Sequence, residues 1–326
     1  MKVHILDDWF DTLRGLNSFK KLDQHHVTVW NDHTKDLTVL TDRLKEAEVL
    51  VLFRERTPIS AKLLERLPKL KLIAQRSVYP HVDVSACTKQ KVLLCSNMHS
   101  GKASIAASEL TFALILASAR QIPQQISSLK AGNWQMAPGQ TLAGRTLGLY
   151  GYGRIAKQVA TYAKAFGMEV VWWASESGRK RLVEAGEVLA SDRKTFFKNS
   201  DFVSIHIRLK PETREIIKSE DLLGMKPSAT FVNTSRSGVV EMGALEKSLS
   251  TGCPGRIALD VFDKEPITNI DDPLICHPNV ISTPHIGYVT EDELDLQFSD
   301  IYDLLNSYAL GAPIHVINPE VLQKMQ

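Results

Sequence analysis

An apolar run, a glycine-rich turn and an amphipathic helix follow one another near the middle of the sequence. The run Thr146–Tyr150 leads into Gly151 and Gly153, and a helix is predicted directly after them over 154–166. In the pattern G-x-G-x-x-G/A, the first glycine permits a tight turn and the second lets a pyrophosphate approach the backbone. The small third residue, here Ala156, lets the helix pack closely on the sheet. Free N–H groups at the helix start attract phosphate, so this order of elements predicts a parallel α/β sheet with a dinucleotide-binding turn.

Short apolar segments alternate with helical stretches on both sides of this turn. Such alternation is typical of parallel sheets with right-handed crossovers. A helix predicted over 104–118 is apolar on nearly every face and is expected to be buried, and another is predicted over 291–310. The sequence therefore predicts an α/β fold of two doubly wound, Rossmann-like domains. The remaining strands are predicted at 2–6, 49–53, 70–74, 170–173, 202–205, 230–233, 257–261 and 280–282.

Composition and charge argue against several classes of protein. The formal net charge is +2, and the short Lys/Arg clusters are interspersed with apolar or acidic residues, unlike a nucleic-acid-binding surface. The longest apolar stretch, 110–119, is too short to span a bilayer. Neither the four scattered cysteines nor His25, His26 and His33 have metal-ligand spacing, so these histidines are expected at the surface. We therefore expect a soluble, cytoplasmic protein without a metal, nucleic-acid or membrane partner.

Three charged residues follow predicted strands in the second half of the chain. Arg236, Glu265 and His285 lie in the segments NTSRSG, DKEP and TPHIG, where the carboxyl ends of parallel strands gather ligands. Removing a hydroxyl proton and a hydride from an alcohol carbon needs a base that titrates near neutral pH, which a histidine supplies. A planar guanidinium suits a carboxylate substrate. These residue types therefore favour the oxidation of a hydroxy acid.

These segments, in this order after the glycine turn, resemble the signature of the D-isomer-specific 2-hydroxyacid dehydrogenase family, which includes D-3-phosphoglycerate dehydrogenases and glyoxylate and hydroxypyruvate reductases. The resemblance extends from about Val49 to the tail at 316–319 and includes Ala107–Thr111 and Ala131–Trp134. It implies an NAD(P)-dependent enzyme that interconverts a D-2-hydroxy acid and its 2-keto acid by hydride transfer.

The resemblance also predicts the domains and the assembly. A flavodoxin-like substrate domain would comprise 1–99 and 288–326, and an NAD(P)-binding Rossmann domain would comprise 100–287. A cleft between them would hold the nicotinamide, and its closure would exclude water from hydride transfer. Two chains are expected to form a homodimer through the cofactor domains, with the 104–118 helix contributing.

By the resemblance, the catalytic residues are Arg236, Glu265 and His285. His285 is the acid/base, Glu265 orients the imidazole and stabilises its charged form, and Arg236 holds the substrate carboxylate. Asp260 matches the position that contacts the nicotinamide carboxamide. The residues expected at the cofactor are Gly151, Gly153, Arg154, Ile155, Ala174, Ser175, Glu176, Arg179, Arg208, Leu209, Thr213, Thr234, Ser235, Asp260 and Gly287.

The position that binds the adenine ribose departs from the common dinucleotide pattern. The second strand usually leads to an acidic residue there, but this chain has Ala174. Glu176 could substitute for it. Alternatively, Arg179, Lys180 or Arg208 could hold a 2′-phosphate, which would favour NADP, or these cations are surface residues in a polar loop. The choice between NAD and NADP stays open.

A loop in the first domain supplies further expected substrate contacts. In the family, backbone N–H groups of this loop meet the substrate carboxylate, and the matching residues are Ser77, Val78 and Tyr79. Relatives usually carry glycines there, so Tyr79 is expected to narrow the pocket or change which acids enter it. Arg54 matches a position that faces the active site in several relatives; the alternative is an ordinary surface arginine. The predicted substrate-binding set is Arg54, Ser77, Val78, Tyr79, Arg236 and His285.

Two other functions are compatible with a glycine turn. A dinucleotide-sensing, corepressor-like binding protein would keep this fold with little turnover. An S-adenosylmethionine-dependent methyltransferase uses a similar glycine loop, but the pairing of His285 with Glu265 disfavours it. Among dehydrogenase substrates, 3-phosphoglycerate, glyoxylate, hydroxypyruvate and longer 2-keto acids all stay open.

Overall fold

The computed structural model describes residues 1–9, 11–98 and 105–323. The chain divides into two compact units, unit 1 formed by Met1–Ala103 with Thr290–Gln326 and unit 2 formed by Ser104–Val289. Each unit contains a parallel sheet flanked by helices. The predicted α/β class with two doubly wound sheets is therefore confirmed.

Helices connect the strands of both units. Side-chain oxygens cap several of them; Asp36, for example, accepts hydrogen bonds from the N–H groups of Thr38 and Val39. In chain order they are α1 (Leu37–Leu44), α2 (Ala61–Leu64), α3 (Val84–Lys89), α4 (Ala106–Arg120), α5 (Ile122–Lys130), α6 (Arg154–Ala165), α7 (Glu176–Glu184), α8 (Arg193–Asn199), α9 (Ser219–Leu223), α10 (Ala244–Thr251), α11 (Pro273–Cys276), α12 (Glu291–Ala309) and α13 (Glu320–Gln323).

Unit 1 is built on a five-stranded parallel sheet. Its strands are β1 (Lys2–Ile5), β2 (His26–Val29), β3 (Val49–Val51), β4 (Leu72–Arg76) and β5 (Leu93–Asn97). They lie in the order β2-β1-β3-β4-β5, which is the flavodoxin-like order. The inner strands β3 and β4 are buried along their whole length, as expected for a parallel sheet covered on both faces.

Unit 2 is built on a six-stranded parallel sheet. Its strands are β6 (Thr146–Tyr150), β7 (Glu169–Trp173), β8 (Phe202–Ile205), β9 (Thr230–Asn233), β10 (Arg256–Leu259) and β11 (Val280–Ser282). They lie in the order β11-β10-β9-β8-β6-β7, and a single parallel bridge from Trp172 to Leu189 adds one more segment beyond β7. With that segment counted as the third strand of the unit, the order is the 3-2-1-4-5-6 of a Rossmann sheet, extended by one strand.

Helix α4 is buried along one face, whereas Glu109, Ala113 and Arg120 on the other face are exposed, so the predicted burial is confirmed only in part. Phe112, Leu114, Ile115 and Ala119 are at most 6% exposed, and the Phe112 ring lies 4.9 Å, centroid to centroid, from the ring of Phe166. Burial of each large apolar side chain of this kind contributes about 1.5–3 kcal/mol. The helix is therefore part of the unit 2 core.

Strands β2 and β5 are absent from the sequence prediction, and several connecting helices, among them α7, were given no range. Edge strand β2 exposes part of every residue except Val29, so its apolar signal is weak. In β5 only the first three residues are apolar before Ser96 and Asn97. The segment proposed as a polar loop around Arg179 is instead helix α7. Within the described residues, no helix is long and apolar enough to cross a membrane.

Candidate active site

The glycine turn joins β6 to α6 in unit 2. Gly151 has a φ of +108°, and a Cβ atom there would lie 2.4 Å from the carbonyl oxygen of His206, so only glycine fits. Gly153 is the N-cap of α6, and a Cβ added there would meet nothing within 4 Å. The first N–H groups of α6, on Arg154 and Ile155, have no intrahelical acceptor. This open approach to free N–H groups fits the pyrophosphate of a dinucleotide.

The segment after β7 presents Arg179 beside the expected ribose position. Ala174 is buried, and Ser175 begins α7 as its N-cap. The guanidinium of Arg179 stacks on the indole of Trp173, with Cζ 4.8 Å from the ring centroid. This stack keeps the cation close to the carboxyl end of β7, where a doubly wound sheet places the adenosine.

The other charged cofactor candidates have different settings. Glu176 forms an exposed ion pair with Lys180, with Oε1 3.1 Å from Nζ, and exposed pairs of this kind hold side chains only weakly. Arg208 follows β8, and its carbonyl accepts a 2.6 Å hydrogen bond from the hydroxyl of Thr213. That bond closes a turn that contains Leu209, whose side chain packs on the unit 2 core.

Asn233, at the end of β9, organises the segment that carries Arg236. The buried Asn233 side chain accepts from the Ser235 amide at 3.0 Å and donates to the Arg236 carbonyl at 3.0 Å. The Arg236 guanidinium donates to the Ser235 carbonyl at 2.7 Å, and the Thr234 hydroxyl lies 2.7 Å from that of Thr111 in α4. The backbone around Arg236 is therefore fixed from inside the unit.

Asp260, directly after β10, fixes the loop that carries His285. Its carboxylate is 1% exposed and accepts hydrogen bonds from Thr283 Oγ1 at 2.7 Å, the Ile286 amide at 2.8 Å and the Gly287 amide at 2.9 Å. Burial raises the pKa of Asp260, and these three donors oppose that rise only in part. Asp260 thus holds both sides of His285 in the chain.

His285 and Glu265 form the central pair of the site. The Nδ1 atom of His285 lies 2.7 Å from Glu265 Oε2, and Glu265 Oε1 accepts from the Phe262 amide at 2.9 Å. Burial alone would raise the pKa of Glu265. The hydrogen bond and charge of His285, the Phe262 amide and the charge of Arg236 outweigh burial, so this pKa lies below its usual value. The pair remains accessible, with side chains 30% and 34% exposed.

The structure thus brings the three predicted catalytic residues into one region of unit 2, and it adds an aromatic neighbour. The ring centroid of Tyr288 lies 5.9 Å from that of His285, with the ring planes at 80°. Tyr288 is absent from the site residues predicted from the sequence. Its signal was an aromatic residue directly after the TPHIG segment.

The substrate residues expected in the first domain follow strands β3 and β4 of unit 1. Arg54 is half-buried with a φ of +62°, and Ser77 has a φ of +78°. Val78 is 43% exposed, whereas Tyr79 packs against the hydrophobic core of the unit. The outward-facing side chain of this loop is therefore that of Val78.

The histidines expected at the surface are placed differently in part. His26 is exposed, but His25 is half-buried, with Nε2 3.0 Å from Asn306 Oδ1. The His33 side chain is only 12% exposed, and its Nδ1 lies 2.8 Å from Asp7 Oδ1. Within the described residues, no group of three histidine, cysteine or acidic side chains is arranged to hold a metal ion.

Comparison with known proteins points to one family. Residues 112–287 match the family model described as the NAD binding domain of D-isomer specific 2-hydroxyacid dehydrogenases. The chain is 34% identical over 322 residues to a glyoxylate reductase of Thermococcus litoralis, with 94% of this chain and 95% of that one covered. The fold matches an oxidoreductase from Ralstonia solanacearum with a TM-score of 0.93, at 41% identity over 98% of both chains. It also matches a phosphoglycerate oxidoreductase from Vibrio cholerae with a TM-score of 0.90, at 42% identity over 96% of this chain and 100% of that one.

These matches decide between the functions that a glycine turn allows. The family model covers more than half of the chain, so the methyltransferase alternative is wrong. The relatives are described as a reductase and as oxidoreductases, which lends no support to a non-catalytic dinucleotide sensor. The chain therefore belongs to the D-isomer-specific 2-hydroxyacid dehydrogenase family of NAD-binding oxidoreductases.

Proposed function

We propose that this enzyme reduces a small 2-keto acid to its D-2-hydroxy acid, and catalyses the reverse reaction, with His285 as the acid/base. The observation that carries the proposal is the 2.7 Å contact between His285 Nδ1 and Glu265 Oε2. With Nδ1 engaged, Nε2 is the ring nitrogen left to face a substrate oxygen. Unit 2 is proposed as the cofactor domain and unit 1 as the substrate domain.

Each residue of the pair has a separate task in this proposal. In the reducing direction, Nε2 of His285 donates a proton to the keto oxygen, and in the oxidising direction it accepts the hydroxyl proton. Glu265, kept ionised by its lowered pKa, orients the imidazole and stabilises the charge it carries before donation. Arg236 binds the substrate carboxylate through its guanidinium. The nicotinamide, when bound, supplies or accepts the hydride.

The cofactor is proposed to be a nicotinamide dinucleotide, with NADP accepted as well as NAD. Gly153 leaves room for the pyrophosphate, and Gly151 permits the tight turn before it. Ala174 provides no carboxylate to repel a 2′-phosphate, and Arg179 is stacked on Trp173 close by. Asp260 is proposed to meet the carboxamide, since a carboxylate can accept more bonds than the three it already has.

The substrate carboxylate is proposed to meet backbone N–H groups of unit 1 as well as Arg236. Among the described residues, the N–H groups of Val78 and Tyr79 have no hydrogen-bond acceptor. Free adjacent N–H groups are suited to binding an anion. Glyoxylate is one substrate to test because a relative is a glyoxylate reductase, and hydroxypyruvate and 3-phosphohydroxypyruvate carry the same 2-keto acid group.

The experiment that tests the proposal is a spectrophotometric assay of NADH and NADPH oxidation. The panel comprises glyoxylate, hydroxypyruvate, 3-phosphohydroxypyruvate, pyruvate, phenylpyruvate and 2-ketoglutarate. We expect turnover with at least one of them and measurable rates with both cofactors. Tight binding of both cofactors with no turnover on the panel would contradict the proposed substrate class.

We further propose that two chains associate through unit 2. No residue of α5 is buried, and it exposes Ile122, Ile126 and Leu129. The nearby Trp134 is 79% exposed. Contiguous exposed apolar surface of this kind usually binds a partner. We expect sedimentation at twice the chain mass of 36.4 kDa, and a shift to the monomer mass in an Ile126→Asp variant; a monomeric wild type would refute the dimer. A cytoplasmic location and the absence of nucleic-acid partners stay predictions from the sequence.

A further inference from the structure

Two buried polar side chains of unit 1 hold the loop that is proposed to bind the substrate carboxylate. Gln75 in β4 and Ser96 in β5 are register partners and are 0% and 1% exposed. The Nε2 atom of Gln75 donates to Ser96 Oγ at 2.8 Å and to the Ser77 carbonyl at 2.9 Å. The hydroxyl of Ser96 donates to the same carbonyl at 2.7 Å. One carbonyl oxygen therefore receives two side-chain hydrogen bonds.

The anchored carbonyl belongs to a residue in an unfavourable backbone conformation. Ser77 has a φ of +78°, a region that a residue with a Cβ atom rarely adopts. Such conformations persist only where the surroundings hold them. The two donors on its carbonyl oxygen are suited to that task, and the Ser77 amide adds a third tie by donating to the Asn97 carbonyl at 3.0 Å.

Anchoring this carbonyl also sets the direction of the next N–H group. A trans peptide is planar, so the carbonyl of Ser77 and the N–H of Val78 point in opposite directions. Because the carbonyl points at Gln75 and Ser96, the Val78 N–H points away from them. The carbonyl of Val78 lies 3.4 Å from the same Gln75 nitrogen. The two hydrogens of that nitrogen already serve Ser96 and the Ser77 carbonyl, so this longer contact constrains the peptide that carries the Tyr79 N–H only weakly.

We propose that Gln75 and Ser96 are positioning residues for substrate binding, which aim the N–H groups of Val78 and Tyr79 at the substrate carboxylate. The inference rests on the proposed function. A glycine at position 77 would adopt the required backbone conformation without help. Here two side chains that do not touch the substrate, Gln75 and Ser96, are proposed to hold Ser77 in that conformation. This arrangement predicts an effect on the Michaelis constant of the keto acid rather than on the chemical step.

The test compares steady-state kinetics of the variants Gln75→Leu and Ser96→Ala with those of the wild type. Glyoxylate and hydroxypyruvate serve as substrates at saturating cofactor. We expect KM for the keto acid to rise about tenfold in Gln75→Leu and about threefold in Ser96→Ala, in line with the net contribution of one or two hydrogen bonds. The kcat value and the dissociation constant of NADH, from fluorescence titration, should stay within about twofold of wild type.

A rescue variant separates positioning from a general loss of stability. Glycine adopts the Ser77 conformation freely, so Ser77→Gly in the Gln75→Leu background should recover at least a third of the lost affinity. As a matched control, Thr41→Val removes a part-buried hydroxyl of helix α1 that donates to the Leu37 carbonyl at 2.7 Å, and this variant should leave KM unchanged.

The failures are distinguishable. Wild-type turnover with an unchanged KM in both Gln75→Leu and Ser96→Ala would overturn the inference alone. A KM increase that Ser77→Gly does not reverse, accompanied by equal losses in kcat and melting temperature, would also overturn it. Absence of turnover in the wild type would overturn the proposed function and this inference with it.

Discussion

Unit 1 and unit 2 each contain a histidine whose Nδ1 atom lies against a carboxylate. In unit 2 the distance from His285 to Glu265 is 2.7 Å, and in unit 1 the distance from His33 to Asp7 is 2.8 Å. By this distance the two pairs are equivalent. Their exposure differs: the side chains are 30% and 34% exposed in the unit 2 pair, and 12% and 4% in the unit 1 pair.

The surroundings of Asp7 explain the difference. Its second carboxylate oxygen accepts from the Thr57 hydroxyl at 2.7 Å, and its carbonyl accepts from the Arg56 guanidinium at 2.5 Å. That guanidinium lies 4.1 Å from the ring centroids of both Trp9 and Phe53. The network ties the end of β1 to the segment after β3. The Asp7 carboxylate therefore contributes to the structure of unit 1.

The comparison shows how the proposed acid/base differs from the histidine of the structural pair. The Nε2 atom of His33 is buried and has no hydrogen-bond partner in the described structure, so a substrate cannot reach it. His285 has the same Nδ1 contact but remains part-exposed beside Arg236 and Tyr288. Accessibility of the side chain, rather than the carboxylate contact, separates the proposed acid/base His285 from His33.

The largest expected difference between the two pairs is in turnover. His285→Ala should lower kcat by about 10²–10⁴-fold, because it removes the proposed acid/base, while NADH binding is retained. His33→Ala should keep kcat within about threefold of wild type. Both are measured by steady-state kinetics on the best substrate of the keto acid panel. Equal losses in the two variants would show that the pairs are not functionally distinct.

The second test measures stability, for which we expect the larger effect in the unit 1 pair. Asp7→Asn should lower the free energy of unfolding by about 2–4 kcal/mol, because it disrupts a buried, hydrogen-bonded charge. Glu265→Gln should change it by less than about 1 kcal/mol, because the pair is partly exposed to solvent. Urea unfolding followed by circular dichroism measures both. A larger loss in Glu265→Gln than in Asp7→Asn would contradict the assignment of the two networks.

The third and smallest effect concerns a histidine without a carboxylate neighbour of this kind. His206 is hydrogen-bonded to the Ser204 hydroxyl at 2.9 Å, and burial lowers its pKa to about 4. The unfolded chain binds a proton near pH 6.5, whereas the folded chain does so only near pH 4. The stability that neutral His206 contributes is therefore fully present above pH 6.5, and this contribution is lost as the pH falls toward 4.

Between pH 7 and pH 4.5 we expect the free energy of unfolding to fall by about 2 kcal/mol because of His206. The effect is kept below the full value of the pKa shift because part of the residue is exposed to solvent. Urea unfolding at the two pH values measures it, and His206→Gln provides the reference without this proton. If wild type and His206→Gln lose stability in parallel over this range, His206 is not held neutral by burial.

Much of the fold was predictable because local sequence patterns and tertiary contacts agree. The strands β6, β8, β9 and β11 have the predicted bounds, since each is a short buried apolar run next to a recognisable turn or motif. Edge strand β2 was missed because a half-exposed strand needs fewer apolar residues. Helix α7 was missed because its helical residues are mostly polar and its stability depends on the Ser175 cap and on burial of Leu182.

The candidate site divides in the same way. Gly151 was identifiable from residue type and spacing, and Arg236, Glu265 and His285 from segments that resemble the signature of the family. Few side chains can assist hydride and proton transfer to the keto group of a 2-keto acid, which restricts the choice further. Tyr288 was missed because its ring meets His285 only through the path of the loop after β11.

The sequence by itself determined the α/β class, the glycine turn and the identity of the charged residues, because these follow from periodicity and from chemistry that few side chains can perform. Only the tertiary structure decided which of two similar histidine–carboxylate pairs stays open to a substrate. It also decided that the Ser77 carbonyl is held by Gln75 and Ser96. Burial and hydrogen-bond partners depend on which distant segments meet, and residue types along the chain do not specify that.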